Sequence, residues 1–104
     1  MLIHLGRGVA AHSEDVITLT DLQRPLPQDS EALLEGMRRK GLVRTLGPEP
    51  KTMVLLRQGR RGKGKIVCYL SCVGLRTLRL RMEEAQGLLV PRPLAEDLSE
   101  VQHG

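Results

Sequence analysis

Aromatic residues are almost absent from this sequence. Of its 104 residues only Tyr69 is aromatic, and there is no Trp or Phe. The core must therefore be built from aliphatic side chains and Met, and a binding surface made of stacked aromatic rings is excluded. A chain of this length forms one domain, and association with further copies would hide additional apolar surface.

Cysteine and histidine are also scarce. Cys68 and Cys72 are too few for a disulfide framework, so we predict that both are reduced core residues. His4, His12 and His103 are not spaced with the cysteines as zinc ligands would be, and we expect neither a metal nor a cofactor. No signal peptide and no membrane span is evident. The expectation is a cytoplasmic protein without membrane contact.

Acidic residues are missing from one long segment. Between Pro50 and Met82 there are nine basic residues and no acidic residue, whereas residues 1–49 hold six basic and seven acidic residues. A localised positive field favours polyanions such as nucleic acid, and less often an anionic membrane surface or an acidic protein. A charged face that only keeps the protein in solution is the alternative explanation.

The segment from Lys51 to Ser71 predicts a β-hairpin in the middle of a sheet. Its two runs of consecutive apolar residues, 53–56 and 66–70, are typical of strands that are covered on both faces. Between the runs, glycines alternate with basic residues, which predicts a turn at the tip. The residues predicted to bind nucleic acid lie in this hairpin and in the helix after it: Arg57, Arg60, Arg61, Lys63, Lys65, Arg76 and Arg79.

The whole pattern predicts an α+β fold, with a small, mainly antiparallel sheet of about five to six strands and two helices. A tight turn, Gly6–Gly8, joins the first two strands. The first helix follows Pro27, ends before Gly41 and packs through Leu33, Leu34 and Met37. Further strands are expected at residues 16–20 and 42–46, and the second helix at 74–86. Residues 1–87 form the predicted domain, and residues 88–104 a Pro-containing acidic tail that is expected to be flexible.

Catalytic motifs are incomplete. The segment from Gly59 to Lys65 matches most of a phosphate-binding loop, but Ile66 stands where a Ser or Thr must hold magnesium, and a strand follows instead of a helix. The serines have no nucleophile-elbow context, so we expect no enzyme. A glycine-rich basic ribbon suits contacts to the phosphates of duplex DNA, which position a protein without reading sequence.

Several short motifs within residues 1–82 occur in the order of a known family. They are Ile3-His4-Leu5-Gly6, Asp15-Val16-Ile17, Pro50-Lys51-Thr52-Met53-Val54, Tyr69 with Ser71, and Thr77-Leu78 leading to Arg81. In these residues the chain resembles the RemA/RemB regulators of bacterial extracellular matrix, and it is more similar to RemB.

The resemblance implies a domain related to the LytTR DNA-binding fold, rings of identical subunits, and duplex DNA binding that activates biofilm-matrix genes. The family's DNA-contacting arginines fall here on Asp15, Pro48 and Glu49. Asp15 is typical of RemB-like chains, and the basic tip, 59–64, is longer than the family's usual turn. Two hypotheses follow: an oligomeric DNA-binding regulator that contacts phosphates through its hairpin tip, or an oligomeric scaffold that binds protein and not DNA.

Overall fold

The computed structural model describes residues 1–59 and 64–87. Three of the predicted DNA-binding residues, Arg60, Arg61 and Lys63, lie outside the described residues, and so does the predicted acidic tail, 88–104. The predictions for those residues therefore remain predictions.

The described residues form a small α+β fold with two helices and six strands, as the sequence predicted. The predicted single sheet is wrong, because the strands divide into a two-stranded sheet, β1-β2, and a four-stranded sheet with the order β3-β5-β6-β4. In chain order the elements are β1 (Leu2–Gly6), β2 (Val9–His12), β3 (Val16–Asp21), α1 (Gln28–Arg39), β4 (Val43–Leu46), β5 (Thr52–Gln58), β6 (Lys65–Ser71) and α2 (Leu75–Ala85).

The β5–β6 hairpin occupies the centre of the four-stranded sheet, which confirms the predicted position. Its antiparallel register runs from the Thr52–Ser71 pair to the Gln58–Lys65 pair. We call the first of these the base end of the sheet and the second the tip end. The chain positions that are described on either side of the turn, 59 and 64, lie beyond the tip end.

Both faces of the hairpin are covered, as consecutive apolar positions predict. On one face, side chains of β5 and β6 pack against β1 and α2, and this core contains Leu5, Val54, Leu56, Val67 and Leu78. On the opposite face they pack against α1, and this core contains Met37, Met53, Leu55, Cys68 and Leu70. Ile66 is the exception, since 48% of it is exposed.

The two-stranded sheet is joined to the base end of the larger sheet. The Ser71 hydroxyl donates a hydrogen bond to the Leu5 carbonyl oxygen and accepts one from the Val73 N–H. Gly6 has a φ of 111°, and a Cβ at this position would lie 2.8 Å from the Cys72 sulfur. Only glycine allows the turn after β1 to approach the base end so closely.

The edge strand β4 is short and pairs with β6 in parallel. The pairing extends from Val43 opposite Cys68 to Leu46 opposite Ser71, so it leaves the first part of β6, residues 65–67, without a β4 partner. The chain enters β4 through Gly41, whose φ of 72° closes the end of α1. Because α1 packs only partly against the sheet, Leu33 is 46% exposed, and its predicted place in the buried stripe is wrong.

Helix α2 runs from the base end towards the tip end of the sheet. The helix begins at Leu75, shortly after Ser71 at the base end. Six residues further along the helix, the Arg81 guanidinium donates a 2.7 Å hydrogen bond to the His4 carbonyl oxygen. Strand β1 reaches the base end at Gly6. Its start lies towards the tip end, because the Met1 carbonyl oxygen accepts a hydrogen bond from the Ser13 N–H, three residues before Val16, which pairs with Leu56 of β5. His4 is therefore two residues back from Gly6 in the direction of the tip end. The helix ends where Gly87 takes a φ of 74°, as the sequence predicted.

Candidate nucleic-acid interface

Four basic residues lie at the tip end of the sheet or line a cleft that reaches it. Arg57 is at the end of β5 and Lys65 at the start of β6, while Lys40 follows α1 and Arg44 lies in β4. All four are exposed. We call these residues the tip-end cluster. Their arrangement follows from the fold, because the α1–β4 turn brings Lys40 close to the part of β6 that β4 leaves unpaired. Arg44 lies opposite Tyr69 of β6, and it lines one cleft together with Lys65.

A polar cleft of about 180 Å³ lies on one side of this unpaired part of β6. Arg44, Gln58, Lys65 and Tyr69 contribute to its lining, and its floor includes Val67. The Gln58 amide donates a 3.3 Å hydrogen bond to the Tyr69 hydroxyl. The cleft thus combines a guanidinium, an ammonium and a phenol, which are the donors that bind phosphate oxygens.

The charges of the tip-end cluster are not neutralised within the described part of the chain. The side-chain ion pairs of basic residues in residues 1–59 and 64–87 are Arg24–Asp21, Arg39–Glu35 and the weak His12–Glu14 contact. None of them involves the cluster. Its positive field is therefore directed towards solvent, where it attracts anions.

The predicted residues Arg76 and Arg79 lie elsewhere, at the base end. They line a cleft of about 480 Å³ with Asp21, Gln23 and Thr77 at the start of α2. Gly74 is the N-cap and provides no side-chain hydrogen bond, so the first N–H groups of the helix and its dipole favour an anion there. Six residue steps along β5 separate the two ends, a distance of about 20 Å.

The structure thus divides the predicted basic surface into two groups. Arg57 and Lys65 lie at the tip end, and Arg76 and Arg79 lie at the base end. Arg81, the third arginine of α2, donates a hydrogen bond to the His4 carbonyl oxygen and joins α2 to β1. Lys40 and Arg44 were missed, because the segment that contains them showed only the pattern of a turn and an edge strand. The sequence carries no signal for the parallel pairing that places Arg44 opposite Tyr69 and brings both residues to clefts that Lys65 also lines.

Comparison with known proteins gives no family for the chain. No protein-family model and no curated protein matches it. Within residues 1–59 and 64–87, no group of three or more His, Cys, Asp or Glu side chains is placed to hold a metal ion. The same part of the chain has no helix with the length and apolar composition to cross a membrane.

The two cysteines are free thiols with different environments. Cys68 is fully buried in the sheet, as predicted, whereas Cys72 is only half-buried and belongs to neither core. Burial raises the pKa of the Cys68 thiol from 9.0 to about 11, and the positive charge of Arg38 offsets only part of this effect. At neutral pH Cys68 is therefore a protonated core residue and not a nucleophile.

The raised pKa of Cys68 predicts a loss of stability in alkali. The folded state disfavours the thiolate, so the free energy of unfolding should fall as the pH rises from about 9 towards 11. Denaturant unfolding at several pH values measures this loss. A Cys68→Ala variant should be less stable at pH 7 but should lose less stability over that pH interval. Equal losses in the two proteins would contradict a buried, titrating Cys68.

Proposed function

We propose that this chain is a cytoplasmic DNA-binding transcriptional regulator of the RemA/RemB type, with a LytTR-like domain, which acts on biofilm-matrix genes as a homo-oligomer. The observation that supports DNA binding best is the tip-end cluster. Its four cations come from three separate segments of the chain, yet three of them lie at one end of one hairpin, and the fourth, Arg44, lines a cleft with Lys65. In the sequence, that hairpin continues into three more basic residues, Arg60, Arg61 and Lys63.

The chemistry of the cluster matches the DNA backbone. Arginine offers a planar fork of donors that fits a phosphate, and lysine adds a compact positive charge. A two-stranded ribbon is also narrow enough to enter the major groove of duplex DNA. No aromatic side chain among the described residues is exposed for stacking on unpaired bases, which favours a duplex over a single strand.

The base-end pair, Arg76 and Arg79, provides a second contact for the same ligand. Lys65 and Arg44 lie on the face of the sheet that α2 also covers. Each stands two residues before a strand residue, Val67 or Leu46, that packs in the core with β1 and α2, and residues two apart in a strand share a face. A ligand that touches both groups must extend over about 20 Å, which corresponds to about six base pairs of duplex at ~3.4 Å each. We therefore expect shorter duplexes to bind more weakly.

A mobility-shift experiment over a salt series tests the proposal. The wild-type protein should retard mixed-sequence duplexes in 50 mM salt, because contacts to phosphate release counterions whatever the base sequence. The four cations of the tip-end cluster alone predict a slope of about −3.6 for log K against log salt, which is a loss of roughly 100-fold between 50 and 200 mM, and contacts by Arg76 and Arg79 would make the slope steeper. Absence of any retarded species in 50 mM salt would contradict DNA binding.

A scaffold that binds protein is the second candidate function. The exposed side chains of Leu33 and Ile66, which lie close to the tip end, favour it. So do Asp15 and Glu49, which stand where the resembling family has DNA-contacting arginines. If the salt series shows no DNA binding while size-exclusion mass measurement shows an oligomer, the scaffold becomes the better proposal.

A further inference from the structure

A neutral amide lies among the cations at the tip end of the sheet. Gln58 is the last residue of β5, its side chain is exposed, and it stands opposite Lys65 in the register of the hairpin. It lines the polar cleft of about 180 Å³ together with Arg44, Lys65 and Tyr69. An uncharged amide adds little to the attraction of phosphates, which the neighbouring cations already provide. Phosphate binding therefore does not account for the amide in this cleft.

The polar side chains of the cleft share one face of the sheet. Each stands two positions from a strand residue that packs in the core with β1 and α2, and residues two apart in a strand share a face. Gln58 follows Leu56, Tyr69 follows Val67, Lys65 precedes Val67, and Arg44 precedes Leu46. The core stops short of the last pair of the hairpin, where Gln58 and Lys65 are both exposed. When such a ribbon lies in the major groove, an exposed amide on its face can contact base edges while long basic side chains contact phosphates.

One hydrogen bond of the Gln58 amide is already made within the cleft. Its nitrogen donates a 3.3 Å hydrogen bond to the hydroxyl of Tyr69, whose half-buried ring packs against the core. A glutamine amide has two N–H groups and one carbonyl oxygen. The hydrogen bond to Tyr69 therefore orients the amide and leaves one N–H donor and the carbonyl acceptor for a ligand.

The remaining donor and acceptor of Gln58 match the major-groove edge of adenine. Adenine presents there the N7 acceptor beside the N6 amino donor, and a glutamine amide binds both atoms at once. Guanine presents two acceptors, N7 and O6, at the same positions, so the amide oxygen would face another oxygen. An amide in this position distinguishes the two purines.

We propose that Gln58 reads adenine in the major groove and that Tyr69 positions its amide. The cations of the tip-end cluster supply the salt-dependent affinity, and Gln58 supplies a preference among sequences, which phosphate contacts alone do not carry. The inference rests on the proposed DNA binding and deepens it.

Binding to three synthetic alternating duplexes, of adenine–thymine, inosine–cytosine or guanine–cytosine pairs, tests the readout. Inosine lacks the guanine amino group, so its pair with cytosine resembles adenine–thymine in the minor groove but guanine–cytosine in the major groove. The wild-type protein should bind the adenine–thymine duplex about fivefold or more tightly than either of the others.

The pattern of affinities identifies each way in which the proposal can fail. Equal affinities for the three duplexes would overturn base reading and leave DNA binding intact. Equally tight binding of adenine–thymine and inosine–cytosine would assign the preference to the minor groove and overturn it. Tighter binding of inosine–cytosine than of adenine–thymine would assign the reading to Arg44 or Lys65 instead. If no duplex binds at low salt, the proposed function and this inference fail together.

Matched variants assign the preference to the amide. Gln58→Leu keeps a side chain of similar size and the charge of the protein, so it should lose the preference to within about twofold and keep the wild-type slope of log K against log salt. Gln28→Leu makes the same change at an exposed residue at the start of α1, at the other end of the helix from Lys40, and should keep the preference. A preference that survives in Gln58→Leu would overturn the proposal, since it would then come from the shape of the duplex.

Tyr69→Phe removes only the hydroxyl and tests the positioning role. This variant should show a weaker preference for adenine–thymine with an unchanged salt slope, because the amide is no longer oriented while the cations remain. A full wild-type preference in Tyr69→Phe would overturn the positioning role of Tyr69.

Discussion

Replacing Leu78 by Ala should lower the free energy of unfolding by about 2–5 kcal/mol, because it removes a buried side chain and leaves a cavity. Leu78 is 0% exposed and is the only buried residue of α2. It packs in the core that also contains Leu5 of β1 and Val54 of β5. One truncation therefore weakens the attachment of α2 to both sheets.

The same helix offers a matched control for this substitution. Leu80 lies two positions later and is 45% exposed, so Leu80→Ala removes the same atoms from a place where little burial is lost. Urea unfolding followed by circular dichroism should place the two variants at least ~1.5 kcal/mol apart. In a domain of this size, such a difference lowers the Tm of the Leu78 variant by roughly 6–12 °C relative to the control. Equal stabilities would mean that α2 is not held through Leu78.

The central hairpin was predictable because its sequence pattern has one structural explanation. Val54 and Leu55 are neighbours in the chain, yet they belong to the two opposite cores. Consecutive apolar residues in a strand require cover on both faces, and this requirement alone placed β5 and β6 in the centre of the sheet. The turn after β1 and the ends of both helices were predictable for a similar reason. The backbone has a positive φ at these positions, and glycine is the residue that adopts this conformation at no steric cost.

The interface was only partly predictable, because it depends on which segments meet. Arg57 and Lys65 were found because they belong to the hairpin itself. Arg44 was not, since its position beside Tyr69 results from a parallel pairing between segments that are more than 20 residues apart. The exposure of Leu33 was not predictable either, because it too depends on how the segments pack together. Helical spacing shows which side chains share a face, but it does not show how much of that face the sheet is long enough to cover.

The loss of three tip-end cations should have the largest effect on DNA binding. The triple variant Arg44→Ala/Arg57→Ala/Lys65→Ala removes up to three phosphate contacts, so the slope of log K against log salt should become shallower by about 2.7. If the affinities are equal in 1 M salt, this change in slope corresponds to a loss of roughly three to four orders of magnitude in affinity in 50 mM salt. All three side chains are exposed, so the fold should be retained. Mobility shifts across the salt series measure both quantities.

A second triple variant distinguishes the effect of losing the tip-end cluster from the effect of lowering the net charge. It also removes three positive charges, from exposed residues outside the tip-end cluster: Arg24→Ala/Arg39→Ala/Lys51→Ala. Arg24 and Arg39 already face carboxylates, at 3.9 and 3.7 Å, so their contribution to an external field is smaller. Because counterion release depends on direct contacts to phosphate, this variant should keep the wild-type slope and lose only a small part of the affinity. If the slope becomes shallower by the same amount in both triple variants, the protein binds DNA through its overall charge, and the grouping of Arg44, Arg57 and Lys65 has no special role.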